Sequence, residues 1–593
     1  MKSEIICVDI ETYDPNLIGN GSGVYRDDGH ILGVGIATSS GFAEYYNLGH
    51  KDISESEKAK NTLKIQKWLS SPSPKLGANI LYDLDWLVNW AGFEVNGEIH
   101  DIQYAEPLID ENRTSYSLDS LSLKYLGIHK QKDEIQEICD AKEWRGDPRK
   151  HLYKMRHTEI YDYVIGDITQ PIAIFEKQKE VLEKEGLWDL YTMERKLIPL
   201  YLQMRKTGVR IDTEQLDKNI LRLSKEVEKG KAEILATYPI KNLNSSAQKA
   251  NVLKGLGFTL PKTAKGADSA SKDVLEKIDH PFAKVVMEVS KKDKVLTYLQ
   301  KSIKAKIVGG RLHCSFHPLK GDKGTVSGRF SSSSPNLQQV KAVRDAEDPN
   351  DLGRMARELF VPEHGQLWGK IDYSQIEYRI IAHFACGPKS ADIKKAYAED
   401  PLTDYHAWVM TITGLPRKEA KVVNFGSAYS MGAKALSKNQ GWEFEKAKGI
   451  LDLYHREVPF VKYTSNKVVE IIKARDRRGE GFIKTILGRR ARVSDKMREN
   501  GKEYSMFNRL IQGSAADMFK KALLDAYEAG IFEVLEIHLL VHDEIDLSIP
   551  NTDEGKQAYR ELKRIMENAV TLKVPIIADS EIGPNWAKVE AFE

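Results

Sequence analysis

Cysteine is scarce. The 593 residues hold four, Cys7, Cys139, Cys314 and Cys386, with no CxxC pair and no zinc spacing. That excludes a disulfide framework and fits a reducing, cytosolic compartment. Long apolar runs are missing too, and none approaches the roughly 20 residues a membrane span needs. The opening MKSEIICVDIETYD brings in acids too early for a secretory signal. No internal repeat or low-complexity tract stands out, so a solenoid is excluded. Net charge is nearly absent at +2.

What is present is length, an ordinary 41% hydrophobic content, and an uneven spread of charge. The length suggests three or four domains. Residues 1–110 carry 8 basic against 17 acidic side chains, a local net of −9. Residues 218–320 carry 21 against 9, a net of +12. A basic segment in a near-neutral chain points either to a polyanion such as nucleic acid or to a solvated helical face.

The pattern divides the chain. Residues 1–190 read as α/β, with strand patterns in EIICVDIET, HILGVGIAT and GFAEYYNL and a long helix in YDYVIGDITQPIAIFEKQKEVLEKEG. Residues 191–310 read as helical and Lys-rich. Beyond them strands and helices mix: LWGKIDYS runs into the helical QIEYRIIAHFA, helices dominate about 390–480, and LEIHLLVHDEIDLSIP forms a hairpin turning at His542-Asp543.

Asp9 and Glu11 stand at i, i+2 on the first strand, so both point to one face. Two adjacent carboxylates repel unless a cation lies between them, and a divalent metal is the usual one. Asp83 follows an Asn-x-x-Tyr run from Asn79. Tyr163 and Asp167 are four apart and share one side of a helix. DIET, Asn79…Asp83 and Tyr163-x-x-x-Asp167 together resemble the DEDDy exonucleases, which have an RNase H-like fold. The resemblance implies that Asp9, Glu11, Asp83 and Asp167 hold two metal ions and that Tyr163 orients the attacking water. Two metals about 4 Å apart stabilise the entering and leaving oxygens of an in-line displacement at phosphorus.

In the second half, Asp372 ends an apolar strand and Asp543 and Glu544 sit at the hairpin tip. Between them, Arg417, Lys421, Phe425 and Tyr429 recur every four residues in RKEAKVVNFGSAYSMGA. Each step drifts only about 40°, so the four line one side of a helix. Two cations and two rings on one face suit a triphosphate with a base attached.

DYSQIE, then R-x-x-x-K-x-x-x-F-G-x-x-Y, then VHDE resemble motifs A, B and C of the family A DNA polymerases. TVSGRFSSSSPNLQQV upstream, and GFIKTILGRRARV and NRLIQGSAADM downstream, fit further blocks of that family. The resemblance implies an RNase H-like exonuclease domain followed by a right-hand polymerase of thumb, palm and fingers, multidomain α/β and α+β. The implied boundaries are 1–190 exonuclease, 191–310 thumb, 311–395 and 485–593 palm, and 396–484 fingers.

Residue by residue, it makes Asp372, Asp543 and the backbone carbonyl of Tyr373 metal ligands, with Glu544 a supporting acid near the primer end. Mg²⁺ is the implied cofactor, two ions in each site, with Mn²⁺ as a substitute. Arg417, Lys421 and His406 meet the triphosphate, and Lys421 also suits a general acid to pyrophosphate. Phe425 packs on sugar and base, Tyr429 guards the templating position, and Gln375 and Glu377 complete the dNTP pocket. Arg329, Asn336, Gln338, Arg379, Asn508, Gln512 and His542 fall at the primer–template duplex. Donors there can reach minor-groove acceptors that every base pair presents.

The implied partners are primer–template DNA and dNTPs, possible companions a helicase or single-strand-binding protein, and the implied state a monomer without membrane contact. Departures from the family pattern are Tyr378 for an aliphatic residue, Ser430 for a glycine and Tyr504 for an arginine. The chain opens at the first exonuclease strand with no 5′-nuclease domain, as some phage replicases do. The alternative function is a 3′→5′ nuclease whose polymerase half only binds DNA; intact Asp372, Lys421 and Asp543 argue against it.

Overall fold

The computed structural model describes residues 4–129, 133–263, 265–321, 324–428, 431–477 and 479–593. Alternating apolar residues set the first sheet: β1 (Ile6–Tyr13), β2 (His30–Thr38), β3 (Ala43–Asn47), β4 (Lys75–Gly77) and β5 (Ile99–Asp101), in the order β3-β2-β1-β4-β5. β1 lies in the middle, antiparallel to β2 and parallel to β4. Helix α1 (Ile80–Leu84) follows β4, and α2 (Tyr161–Glu185) packs across β1 and β2.

The segment read as mostly helical contains a short strand. Val209–Ile211 pairs with Phe360–Val361 and Arg311–Leu312. Three residues show too little alternation to be seen between two long helical patterns. On either side lie the helices expected there, among them Thr213–Thr237 and Pro281–Thr297, which pack together.

The second sheet has β6 (Gln366–Tyr373) at its centre, flanked by the hairpin β7 (Glu536–Val541) and β8 (Glu544–Pro550) on one side and by β9 (Ala578–Asn585) and β10 (Lys588–Ala591) on the other. Helices dominate the described residues of 390–476, among them α3 (Arg417–Ala428). Helix α4 (Met506–Glu528) runs beneath, its Lys520 fully buried on both Glu194 carboxylate oxygens (2.7 and 2.8 Å) and the Pro318 carbonyl (2.6 Å). Arg489 bonds the same Glu194 and also Asp517. A buried charge left without its partner costs about 3–5 kcal/mol, so this cluster pins α4 firmly. Among the described residues, no helix is long and apolar enough to cross a membrane.

Candidate active sites

In the first sheet Asp9 and Glu11 alternate with the buried Val8 and Ile10, as period two demands. Their cross-strand partners are Gly35 and Gly33. A Cβ on Gly35 would meet Val164 and Ile168 of α2 at 2.8 Å, and one on Gly33 would meet the Tyr45 ring at 2.4 Å. Gly35 therefore lets α2 come down onto the sheet that carries the acids, while Gly33 leaves room for the Tyr45 ring of β3. One oxygen each from Asp9, Glu11 and Asp167 then lie within 4.8 Å of one another. Among the described residues that is the only such trio of His, Cys, Asp or Glu. Three hard oxygen donors at this spacing suit a divalent cation such as Mg²⁺.

Asp83 stands beside the trio. Its Oδ1 accepts the Ile10 N–H at 3.0 Å, and burial, with the neighbouring Asp9 charge, pushes its carboxyl well above the usual range. Asn79 takes a left-handed turn (φ 66°) into α1, where the Asp101 carboxylate accepts the N–H groups of Asn79 (3.2 Å) and Ile80 (2.8 Å). Asp101 escaped the sequence reading because it lies 18 residues from Asp83 in a segment without a motif. Tyr163 is buried on α2 one turn before Asp167, and burial together with Glu11 raises its phenol.

In the second sheet, β6 and β8 place Asp372 opposite Glu544, and β6 and β9 place it opposite Asp579. Asp543 occupies the two-residue turn before β8, with His542 in the left-handed region (φ 61°), a conformation uncommon outside glycine. Burial, then the charges of Asp543 and Glu544, push Asp372 up to about 8. Burial raises Asp543 to about 6, against the pull of Arg329. Asp372 Oδ1 is buried and receives no hydrogen bond from any described residue. Buried carboxyls that crowd each other in this way favour a bound cation. Tyr373 ends β6, its hydroxyl donating to the Met566 carbonyl.

Glu544 accepts the Trp586 indole N–H at 2.9 Å, with Arg357 at 3.9 Å and Lys370 at 4.0 Å. Glu377, at the start of helix Ile376–Phe384, is ion-paired to Arg329 at 2.7 Å. The side chain expected at the dNTP sugar and the one expected in the minor groove thus hold each other.

Arg417, Lys421 and Phe425 all lie on the exposed side of α3, while Ala420, Val423 and Asn424 face inward. Phe425 is 40% exposed, high for a phenylalanine, and with Lys421 it lines a cleft of about 330 Å³. Arg417 pairs with Asp404, which also caps the helix of His406. His406 is largely buried; its Nδ1 meets the Asn424 side-chain amide at 2.8 Å, and burial lowers its basicity. Gln375 Oε1 accepts the Tyr405 N–H at 3.1 Å. Tyr378, one of the departures, stacks on Tyr405 (4.6 Å between centroids) and edges onto His406 and Phe425. Tyr429 and Ser430 lie outside the described residues.

Two residues expected at the duplex have partners inside the protein. Arg379 is 1% exposed; it donates to the Ser374, Pro575 and Pro401 carbonyls and covers the Tyr397 ring. It is an internal strut. Gln338 straps the hairpin, donating to the Leu540 carbonyl and accepting the His542 N–H at 2.9 Å. A motif locates such side chains along the chain but says nothing about which carbonyls fold up beside them. Asn336 is exposed, Asn508 and Gln512 are half-buried on α4, and Tyr504 is exposed just before it.

Residues 213–588 match the model of the family described as DNA polymerase family A. The DNA-directed DNA polymerase of Pseudomonas phage M6 is 31% identical, over 98% of this chain and 93% of that protein. The DNA polymerase DpoZ of Salmonella phage PMBT28 is 28% identical, over 95% and 94%. The solved POL domain of Pol1 from M. smegmatis, in complex with DNA primer-template and dNTP, superposes with a TM-score of 0.79 at 22% identity, covering 99% of this chain and 96% of that one.

Proposed function

The chain belongs to DNA polymerase family A, and from that premise we propose a DNA-directed DNA polymerase that extends a primer on a DNA template and proofreads with a 3′→5′ exonuclease. It has an N-terminal α/β domain ahead of a right-hand polymerase fold. The observation that carries the reading is the juxtaposition of Asp372 and Asp543 at one end of the second sheet, in a chain whose α3 exposes Arg417, Lys421 and Phe425 together.

Asp372, Asp543 and the Tyr373 carbonyl hold the metal of the polymerase site; Asp9, Glu11, Asp83 and Asp167 hold that of the exonuclease site. When bound, two Mg²⁺ ions per site, or Mn²⁺ in their place, supply the charge that activates the attacking oxygen and stabilises the departing one. The protein's own work is positioning. Arg417 and Lys421 take phosphate oxygens, Arg417 exchanging Asp404 for the triphosphate. Lys421 gives a proton to the leaving pyrophosphate, Phe425 packs on the sugar and base, and Glu377 fills the volume a 2′-OH needs. In the exonuclease site Tyr163 orients the water.

Residues 1–190, 191–310, 311–395 with 485–593, and 396–484 take the roles of exonuclease, thumb, palm and fingers. The Lys-rich 191–310 segment grips duplex phosphates, so binding weakens as salt rises. The partners are primer–template DNA and dNTPs, with a helicase or single-strand-binding protein as replication companions of a monomeric, phage-type replicase. One gel tests the reading: a labelled primer–template with Mg²⁺, with and without dNTPs. Extension with dNTPs and 3′ shortening without them is expected. Shortening alone leaves a nuclease with a DNA-binding platform, and neither product ends the proposal.

A further inference from the structure

Behind the polymerase acids lies a carboxyl that the mechanism above does not use. Asp546 stands two residues after Glu544 on β8, so both side chains point to the same face. It pairs across the sheet with Lys370, as Glu544 pairs with Asp372. Asp546 is fully buried. Its Oδ1 accepts the Trp368 indole N–H at 3.1 Å, and Trp368 is itself fully buried. Its Oδ2 is also buried and receives no hydrogen bond from any described residue.

A buried carboxylate oxygen without a donor is costly. The Lys370 ammonium, the cation across the sheet, is bonded to Glu581. The group beside Asp546 on its own face is the Glu544 carboxyl. Two acids form a good hydrogen bond only when one keeps its proton. Burial first, and then the Glu544 charge, drive Asp546 well above the usual carboxylate range, so the proton belongs on Asp546.

Glu544 is held from its other side as well. The Trp586 N–H donates to its Oε1 at 2.9 Å, and Trp586 is wedged between the Arg357 guanidinium (4.1 Å over the ring) and Phe360 (5.1 Å, edge-on). Two buried indoles, Trp368 and Trp586, thus fix the two ends of an acid pair whose nearer member lies opposite Asp372.

We propose that Asp546 is a positioning residue for the polymerase reaction: clamped by Trp368, it is a neutral acid that donates its O–H to Glu544 and fixes that carboxylate beside Asp372 and Asp543. The proposal rests on the polymerase reading. It adds a hydrogen-bonded layer behind the acids, and such outer partners tune the groups they hold.

The test is single-nucleotide incorporation on a primer–template with Mg²⁺, using the full chain. Asp546→Asn keeps an N–H for Glu544 and a carbonyl oxygen for Trp368. Asp546→Leu with Trp368→Phe removes both polar partners together and leaves no buried orphan. The apolar pair should keep its Tm yet lose at least about tenfold in kcat with little change in KM for dNTP. Asp546→Asn should recover most of that loss. In a Glu544→Ala background the apolar pair should cost nothing further, because its effect passes through Glu544. Where the apolar pair does not fold, Asp546→Ser, too short to span both partners, takes its place. A folded apolar variant that extends primers at the wild-type rate overturns the proposal, as does an equal loss with and without Glu544. Wild-type protein that fails to extend any primer instead overturns the polymerase reading itself.

Discussion

In the N-terminal sheet three acids already converge: Asp9, Glu11 and Asp167 bring oxygens within 4.8 Å of one another, on a strand and a helix that packs down over Gly35. In the second sheet the described residues form no such trio: Asp372 ends a strand and Asp543 sits in a turn, with Arg329 pulling on Asp543 and Glu377. The difference matches what each site must do. Mg²⁺ binds readily through one or two carboxylates when substrate phosphates supply further oxygens. On the proposed reading, a nucleotide brings three phosphates to the second site, whereas the first sees only the single phosphodiester at a strand end, so there the protein supplies more of the shell.

The sharpest break between the two sites is chemical. Asp543→Ala should lower primer extension at least about 1,000-fold while degradation continues, and Asp9→Ala with Glu11→Ala should do the reverse. Denaturing gels of both variants, alongside their CD spectra, decide it; a folded variant that loses both activities would merge the two sites into one.

Metal binding without substrate should separate them next. Titrating Mn²⁺ into nucleotide-free protein, followed by calorimetry, should reveal a site that Asp9→Ala with Glu11→Ala weakens at least about tenfold. Asp372→Asn with Asp543→Asn should leave that site untouched. Equal losses from both pairs of changes would mean the trio is no better assembled than the palm acids.

On the proposed reading, substrate selection belongs to the second site alone. Glu377→Ala should raise the rNTP/dNTP ratio of kcat/KM by at least about tenfold, roughly 1.4 kcal/mol of lost discrimination. It also frees Arg329, so dNTP incorporation should fall somewhat. Phe425→Tyr should raise the ddNTP/dNTP ratio, since by the family resemblance a tyrosine hydroxyl stands in for the absent 3′-OH. Both ratios are to be measured in an exonuclease-dead background, and an unchanged ratio removes that side chain from the pocket.

The smallest effect is on stability. In metal-free protein Asp372 holds its proton up to about 8 and Asp543 up to about 6. In the unfolded chain both release it near about 3.9. Between those limits the folded state binds more protons, so stability is greatest below about pH 4 for these groups and declines as pH rises towards 8. Mg²⁺ takes the place of the protons and should flatten the decline. Thermal melts at pH 5.5 and 8.5, with Mg²⁺ and with EDTA, should show a Tm gap in EDTA that narrows with metal. Asp372→Asn with Asp543→Asn should remove its own share of the gap.

Much of this was legible in the chain. Period-two alternation placed Asp9 and Glu11 on one face, and period 3.6 placed Arg417, Lys421 and Phe425 on one exposed side, because both depend only on local backbone geometry. The hairpin tip at His542-Asp543 was legible for the same reason. The internal partners of Arg379 and Gln338 were not legible, because Pro575 and Leu540 lie 196 and 202 residues away along the chain.

The amino-acid sequence by itself determined the two halves, the order of the motifs and the candidate carboxylates, since each is written in spacing over a few residues. Tertiary structure alone decided which acids meet. Gly35 reads as an ordinary strand glycine until α2 descends on it. Trp586 reaches Glu544 across 42 residues, and Asp546 looks like one more turn-proximal acid until Trp368 closes over it. Long-range burial sets those pairings, and with them which carboxyl keeps a proton, because the cost of an unpaired buried charge exists only once the chain has excluded water around it.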